Sequence, residues 1–165
     1  MSKALLTVVL SLLLLFNGCD KGISPEEVTG FSGTISFIGE WPDSIARTHL
    51  VVFENPLNSI NDFNPFNLRY VSLEIPYGTR IYKYNSADSA YVPISAGSYS
   101  YVAVAQSKKP VLSLDRKDWF VAGLYYSGND MINPGKLIIP ENTMVTNINI
   151  IVDFNNPPPQ PPGGN

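Results

Sequence analysis

Prolines recur along the whole chain and restrict it to short elements. Between residues 31 and 154 they stand at positions 42, 56, 65, 76, 93, 110, 134 and 140, and proline interrupts a helix because it lacks a backbone N–H and clashes with the preceding turn. From residue 19 onward the chain has 14 Ile and 11 Val against 7 Ala and 8 Leu, and β-branched side chains favour strands. The sequence therefore predicts an all-β fold.

Alternating apolar and polar side chains between residues 31 and 154 predict short strands. Phe31, Ile35 and Phe37 share one face of the first. Residues 49–54 are apolar on both faces, as expected of a strand in the centre of a sheet. About seven to nine such strands, separated by turn signals, predict an antiparallel β-sandwich, for example of the immunoglobulin-like type. A single β-barrel is the alternative.

Two proline positions predict local topology. Pro76-Tyr77-Gly78 joins residues 69–75 to residues 79–84, with proline where a turn fixes φ and glycine where φ can be positive, and this pattern predicts a hairpin. Pro93 lies within residues 90–95 and removes a backbone donor, so this segment is predicted to lie at a sheet edge.

The first 18 residues differ in composition from the rest. Lys3 precedes residues 4–16, which carry no charge and are mostly apolar. A membrane-spanning helix needs about 20 apolar residues, so this run is too short to span a bilayer. It fits the hydrophobic region of a secretory signal peptide, with the small residue Gly18 at the cleavage point. Residues 1–18 are therefore predicted to direct export and to be removed.

The chain has one cysteine, Cys19, directly after this segment. Residues 15–19, Leu-Phe-Asn-Gly-Cys, resemble the lipobox of bacterial lipoproteins, in which the thiol accepts a diacylglyceryl group and the peptidase cuts before the cysteine. The resemblance implies that Cys19 is the lipid attachment site. Residues 20–30 then form a polar tether with a flexible end-to-end distance of about 18 Å. The folded domain, residues 31–154, is expected to lie close to a membrane.

Charge is sparse and slightly acidic. Without residues 1–18, whose one charged residue is Lys3, the chain has 10 basic and 14 acidic side chains, a net charge of −4. The basic pairs are Lys108-Lys109 and Arg116-Lys117, and the second is bracketed by Asp115 and Asp118. Binding to nucleic acid needs a larger basic cluster, so a nucleic-acid partner is excluded.

The end of the chain has a composition of its own. Residues 155–165 consist of asparagine, proline, glycine and one glutamine, and they are predicted to form a disordered, polyproline-II-like tail that neither packs nor pairs. A ligand for a proline-binding groove is one interpretation of this tail. A plain solvated terminus is the preferred one.

Three segments of the domain resemble a known family. They are residues 32–37, with Gly33-Thr34-Ile35, then residues 93–104, with the pattern I-x-A-G-x-Y-x-Y-V-A-V, and the closing strand at residues 148–154. Their order resembles that of transthyretin-like or carboxypeptidase-regulatory-like domains, which are β-sandwiches common in bacterial envelope lipoproteins. The resemblance implies an accessory or adhesive role. Transthyretin-like hydrolases depend on several histidines and a Tyr-Arg-Gly-Ser ending, which this chain lacks.

The sequence shows no catalytic or metal-binding signature. His49 is the single histidine and has no HxH or HExxH partner, so it is predicted to lie at a strand edge, at the surface or as a cap. The carboxylates are scattered singly, without the paired framing of a glycosidase. We therefore predict no catalytic residue, no bound metal and no cofactor.

Residues 55–67 form an unusual loop with five asparagines, two prolines and two phenylalanines. Long loops without regular structure are often functional, and exposed Phe63 and Phe66 beside Asn64 could stack on a sugar or clamp a peptide. Tyr77, in the predicted turn, is a further candidate contact. The alternative is that both phenylalanines fold back and close an open end of the sandwich.

These observations predict a lipid-anchored β-sandwich of the bacterial cell envelope. It would act as a non-catalytic binding or structural module with a protein or glycan partner. The outer membrane or cell surface is the preferred location, and Asp20 after Cys19 keeps the inner membrane open. The alternative function is an enzyme that acts on envelope polymers, such as a glycan hydrolase using Asp or Glu.

Overall fold

The computed structural model describes residues 28–128 and 130–164, which form strands, turns and two short 3₁₀ helices. The strands are β1 (Gly30–Ile38), β2 (Arg47–Phe53), β3 (Leu68–Ser72), β4 (Ile81–Asn85), β5 (Ala90–Val92), β6 (Gly97–Tyr99), β7 (Tyr101–Ser107), β8 (Phe120–Leu124), β9 (Leu137–Ile139), β10 (Met144–Val145) and β11 (Ile150–Asp153). The 3₁₀ helices are Ile60–Asp62 and Arg116–Asp118. The predicted all-β class is confirmed. The predicted signal peptide, Cys19 and residues 20–27 of the tether lie outside the described residues.

Nine strands form one curled sheet, a half-barrel. Its strand order is β10 and β11 beside β1, then β8, β7, β2, β3 and β5, while β4 pairs with the other side of β1. The edge strands β4 and β5 are joined by residues 86–89 alone, so the curl brings the two edges close together. Strands β6 and β9 form a separate antiparallel pair.

The sheet is mixed, whereas the sequence predicted an antiparallel arrangement. β1 runs parallel to β10 and to β11, with Ile35 opposite Ile150, and the other pairs are antiparallel. The parallel pairs join the beginning of the described chain to its end. No local pattern in the sequence records a pairing over that separation.

The predicted hairpin between residues 69–75 and 79–84 is wrong. The turn itself forms, with Gly78 at φ +80° and the N–H of Thr79 donating to the carbonyl of Pro76 over 3.3 Å. However, β3 pairs with β2 and β5, while β4 pairs with β1. Between them, Ile75 is buried and its N–H donates to the carbonyl of Thr48 over 2.8 Å. Burial of Ile75 therefore directs the chain away from β3.

The sheet has a hydrophobic core on each face. Leu50 and Val52 of β2 point into the curl and belong to the inner core, whereas Val51 and Phe53 belong to the outer core. β7 alternates in the same way. The inner core is closed by contacts across the curl, such as the edge-to-face pair of Phe31 and Tyr70 at 5.3 Å. The prediction that residues 49–54 form a central strand is confirmed, and so is the edge position of β5.

The tail packs against the outer face, contrary to the predicted solvated segment. Val121 of β8 donates its N–H to Oε1 of Gln160 over 2.8 Å, and Nε2 of Gln160 donates to the carbonyl of Val121 over 2.8 Å. Pro161 is buried. β8 pairs with β11 only at Leu124, so the backbone groups of Val121 are available to the side chain of Gln160. The prediction of a tail that does not pack is wrong for this part.

Candidate functional site

An apolar pocket of about 220 Å³ opens on the outer face of the sheet. Residues 55–67 form one wall and residues 108–119 form the other, and side chains of β2, β3, β5 and β7 supply the floor. Apart from Asn64, Ser113, the hydroxyl of Tyr91 and the indole nitrogen of Trp119, the lining side chains are apolar. They are Val51, Phe53, Phe63, Pro65, Leu68, Val71, Tyr91, Val92, Ala105, Leu112, Leu114 and Trp119.

The loop at residues 55–67 holds Phe63 by a set of side-chain caps. Oδ2 of Asp62 accepts the N–H groups of Asn58 and Ser59 over 2.9 and 2.7 Å. Oδ1 of Asn64 accepts two further N–H groups of the loop, and its Nδ2 donates to a carbonyl over 2.7 Å. The ring of Phe63 then packs 5.6 Å from that of Phe53. Side-chain hydrogen bonds thus hold this loop in place, and its one regular element is the 3₁₀ helix Ile60–Asp62.

The structure brings together some of the predicted contact residues. Phe63 and Asn64 both line the pocket, although the amide of Asn64 is already used within the loop. The side chain of Phe66 is 86% exposed. Tyr77 does not line this pocket, because its ring lies 5.2 Å from that of Trp41 instead. Phe63 therefore folds back onto the sheet, whereas Phe66 remains exposed to solvent.

Sequence reasoning missed the second wall of the pocket. Val111 and Leu114 are 71% and 68% exposed, and Leu112 is 42% exposed. Their loop is fixed, because the indole N–H of Trp119 donates to the carbonyl of Ser113 over 2.8 Å. The signal in the sequence is an aliphatic group without the alternation of a strand, between two basic pairs. A rigid loop that displays aliphatic side chains to solvent is typical of a contact surface.

Trp119 separates the pocket from a positively charged hollow. The indole lines both cavities, and the second is also lined by three lysines and one carboxylate, Lys108, Lys109, Lys117 and Asp118. Among the described residues, the carboxylate nearest to the Lys117 ammonium is that of Asp115, at 4.0 Å. An exposed pair at this distance leaves most of the positive charge available to another molecule.

His49 lies beneath the pocket and is fully buried, so the prediction of a surface or cap position is wrong. Its ring lies 5.7 Å from that of Tyr91 and 6.0 Å from that of Trp119. Nδ1 lies 3.0 Å from the carbonyl of Ser72, which makes Nδ1–H the donor. Nε2 has no hydrogen-bond partner within the described residues. Desolvation lowers the pKa of this imidazole, so it is neutral at pH 7.

Three further observations bear on the chemistry of the surface. Across residues 28–128 and 130–164, no group of three or more His, Cys, Asp or Glu is placed to hold a metal ion. In the same residues, no helix has the length and hydropathy needed to cross a membrane. Comparisons with protein-family models, curated proteins and solved structures found no match to this chain.

Proposed function

We propose that this chain is a lipid-anchored, non-catalytic binding module of the bacterial cell envelope, and that its outer-face pocket binds an apolar side chain of a partner protein. The observation that carries the proposal is the pocket itself, with its apolar lining and its rim of exposed aliphatic residues. Burying one Leu-sized or Phe-sized side chain contributes about 1.5–3 kcal/mol. Anchors of this kind, seated in a preformed pocket, supply most of the binding energy in many interfaces.

The lining favours a protein over a glycan. Sugars need several hydrogen-bonding groups around a stacking surface, and the pocket offers only Asn64 and Ser113 besides the aromatic heteroatoms. Both side chains already hydrogen-bond within their own loops. An apolar side chain needs no such groups, and it would also cover Leu112 and Leu114.

The lysines near the pocket favour a partner segment that carries negative charge. Lys108, Lys109 and Lys117 lie on the far side of Trp119 from the pocket. A partner segment that carries acidic residues next to its apolar anchor would face these lysines. Such pairs raise the association rate and are weakened by salt.

Attachment to the membrane fits this role. Two or three acyl chains on Cys19 would anchor the chain firmly, and a tether of about 18 Å would keep the pocket near other membrane-bound proteins. The effective concentration of partners is high at such a distance.

Site-specific photocrosslinking tests the proposal. A photoreactive residue replaces Leu114 in one variant and Ile81 in a control, since their side chains are 68% and 65% exposed and Ile81 lies outside the pocket. We expect a discrete protein adduct from Leu114 in intact cells, and a Phe63→Ala exchange in the same chain should weaken it at least tenfold. Equal adducts from both positions would refute the proposal.

A vesicle-binding assay distinguishes a lipid bilayer from a protein as the occupant of the pocket. The same chain without its lipid is sedimented with vesicles of phosphatidylglycerol or phosphatidylcholine. Sedimentation that depends on Leu114 would identify a bilayer, not a protein, as what covers the pocket.

A further inference from the structure

Residues 159–162 of the tail line a groove on the outer face, and this groove shares no lining residue with the apolar pocket. The groove runs between residues 56–58, the beginning of β7, residues 132–136 and the tail itself, and a cavity of about 660 Å³ remains beside the tail. The groove therefore holds a proline-rich segment that does not fill it.

Polar groups of the groove match what a proline-rich segment offers. Proline has no N–H, so such a segment presents carbonyl acceptors and few donors. Nη2 of Arg116 donates to the carbonyl of Pro161 over 2.9 Å. Beside the groove, Val121 of β8 presents its N–H and its carbonyl, and the side-chain amide of Gln160 hydrogen-bonds to both. Gln160 thus supplies the donor that the proline backbone lacks.

Arg116 gives the groove a strong requirement for acceptors. Its side chain is buried, with 5% of the residue exposed, and it forms no ion pair with any described residue. Its guanidinium donates only to the carbonyls of Trp119 and Pro161, and its Nε has no partner in the described part of the chain. A buried guanidinium that loses an acceptor is costly. If the tail leaves, another carbonyl must take its place.

Tyr101 supplies a free donor in the same groove. It lines the cavity beside the tail, and its buried hydroxyl has no hydrogen-bond partner among the described residues. The tail thus leaves donors unmatched on both Tyr101 and Arg116. A segment of another chain that presents a further carbonyl here would pair with a donor that the tail leaves unmatched.

We propose that this groove is a recognition site for extended proline-rich peptides with a Gln-Pro core, and that the tail is its resident ligand, which such a segment of another chain can replace. The short link from β11 to Gln160 gives the tail a high effective concentration, in the millimolar range. Binding in trans is therefore weak while the tail is intact and stronger once its contacts are weakened. This site adjoins the apolar pocket, because the guanidinium of Arg116 lies 5.9 Å from the ring centroid of Phe63. The two proposals use different ligands and different variants, so either can fail alone.

A peptide supplied in trans tests the groove. The probe is a fluorescein-labelled peptide with the sequence of residues 155–164, titrated into the full chain and into its Gln160→Ala variant. We expect the variant to bind the peptide at least tenfold more tightly, because its own tail competes less. A peptide with alanine in place of its glutamine should bind at least tenfold more weakly, whereas one with alanine in place of the exposed Pro157 should bind normally.

The amide of Val121 reports on the groove directly, because its N–H donates to Gln160. In the Gln160→Ala variant this amide should exchange faster with solvent, and the added peptide should restore its protection. If the variant is unstable, excess peptide added to the unaltered chain must shift the resonances of the groove. No binding to a folded variant, or equal binding of the glutamine and alanine peptides, would overturn the proposal.

Discussion

At the scale of single residues, His49 shows how covering loops decide burial. Its position at the start of an apolar run favours a surface location, yet residues 108–119 and Tyr91 cover it from the outer face. Nothing in the local sequence indicates that a loop some sixty positions away closes over β2, as the contact between His49 and Trp119 requires. A strand can be predicted from its own residues, but what covers it cannot.

Burial of His49 predicts a pH dependence of stability. Desolvation lowers its pKa below the ordinary value of 6.5, so the unfolded chain binds more protons as pH falls through 6.5. The free energy of unfolding should therefore decrease from pH 7 to pH 5, by at most about 1.4 kcal/mol per pH unit, the limit for one proton. Urea unfolding at several pH values measures this slope.

A His49→Asn variant is the control, since its side-chain amide nitrogen stands near the position of Nδ1, can still donate to the carbonyl of Ser72 and does not titrate. The free energy of unfolding of this variant should change less between pH 7 and pH 5. Asp130 and Asp153 do not interfere, because hydrogen bonds with Asn133 and Asn156 lower their pKa values below 3.8 and their contribution is lost only at lower pH. An equal slope in both proteins would assign the effect to other groups.

Gly33 is the second residue with a sharp prediction. A Cβ at this position would lie 2.1 Å from the carbonyl oxygen of Ile148, because β1 passes the end segment closely where it changes partner from β10 to β11. We expect Gly33→Ala to lower the free energy of unfolding by about 3 kcal/mol or more. Gly78→Ala, with φ +80° but nothing within 4 Å of the added Cβ, should cost about 1 kcal/mol. Equal costs would show that β1 can move away from Ile148.

At the scale of elements, Asn67 controls the loop of residues 55–67. It is buried, its Oδ1 accepts the N–H of Asn55 over 2.8 Å, and its Nδ2 donates to the carbonyl of Asp62 over 2.9 Å. Asn67→Ala leaves these backbone groups unpaired and should cost about 1–3 kcal/mol. It should also weaken the photocrosslink at Leu114, because Phe63 loses its support.

Asn58→Ala is the matched control for that prediction. Asn58 lies in the same loop, is exposed, and contributes only its backbone N–H. Urea unfolding should place it within about 0.5 kcal/mol of the unaltered chain. If Asn58→Ala lowered the free energy of unfolding as much as Asn67→Ala does, the hydrogen bonds of the Asn67 side chain would not explain the effect.

Strands and turns could be predicted where the residues that determine them are close together in the sequence. Alternation located β1, an apolar run located β2, and Pro93 placed β5 at an edge. The turn at residues 76–79 was also predicted, but not its consequence, because the partner of β4 is chosen by the burial of Ile75. Of the pocket, the sequence indicated Phe63 and Asn64. Leu112 and Leu114 were missed because their loop shows no strand or helix period.

At the scale of the whole molecule, the first and last strands of the described residues complete the sheet. β11 lies between β1 and β8, so the sheet cannot be continuous until the last strand is in place. The tail then pairs with β8 through Gln160. Contacts between distant segments dominate, as in other β proteins that fold slowly. If the predicted signal peptide exports this chain, we expect folding to finish only after residues 150–164 have been delivered.

The anchor gives the final prediction at this scale. If Cys19 carries lipid, the protein should incorporate labelled palmitate and partition into the detergent phase of Triton X-114, because two or three acyl chains outweigh a small polar domain. Cys19→Ser should abolish both properties and retain residues 1–18, since the peptidase needs the modified thiol. Asp20→Asn leaves the thiol intact and should keep both, although the receiving membrane could change. Detergent partitioning that survives Cys19→Ser would instead assign membrane attachment to the domain surface, where the exposed Val111 and Leu114 are the first residues to exchange.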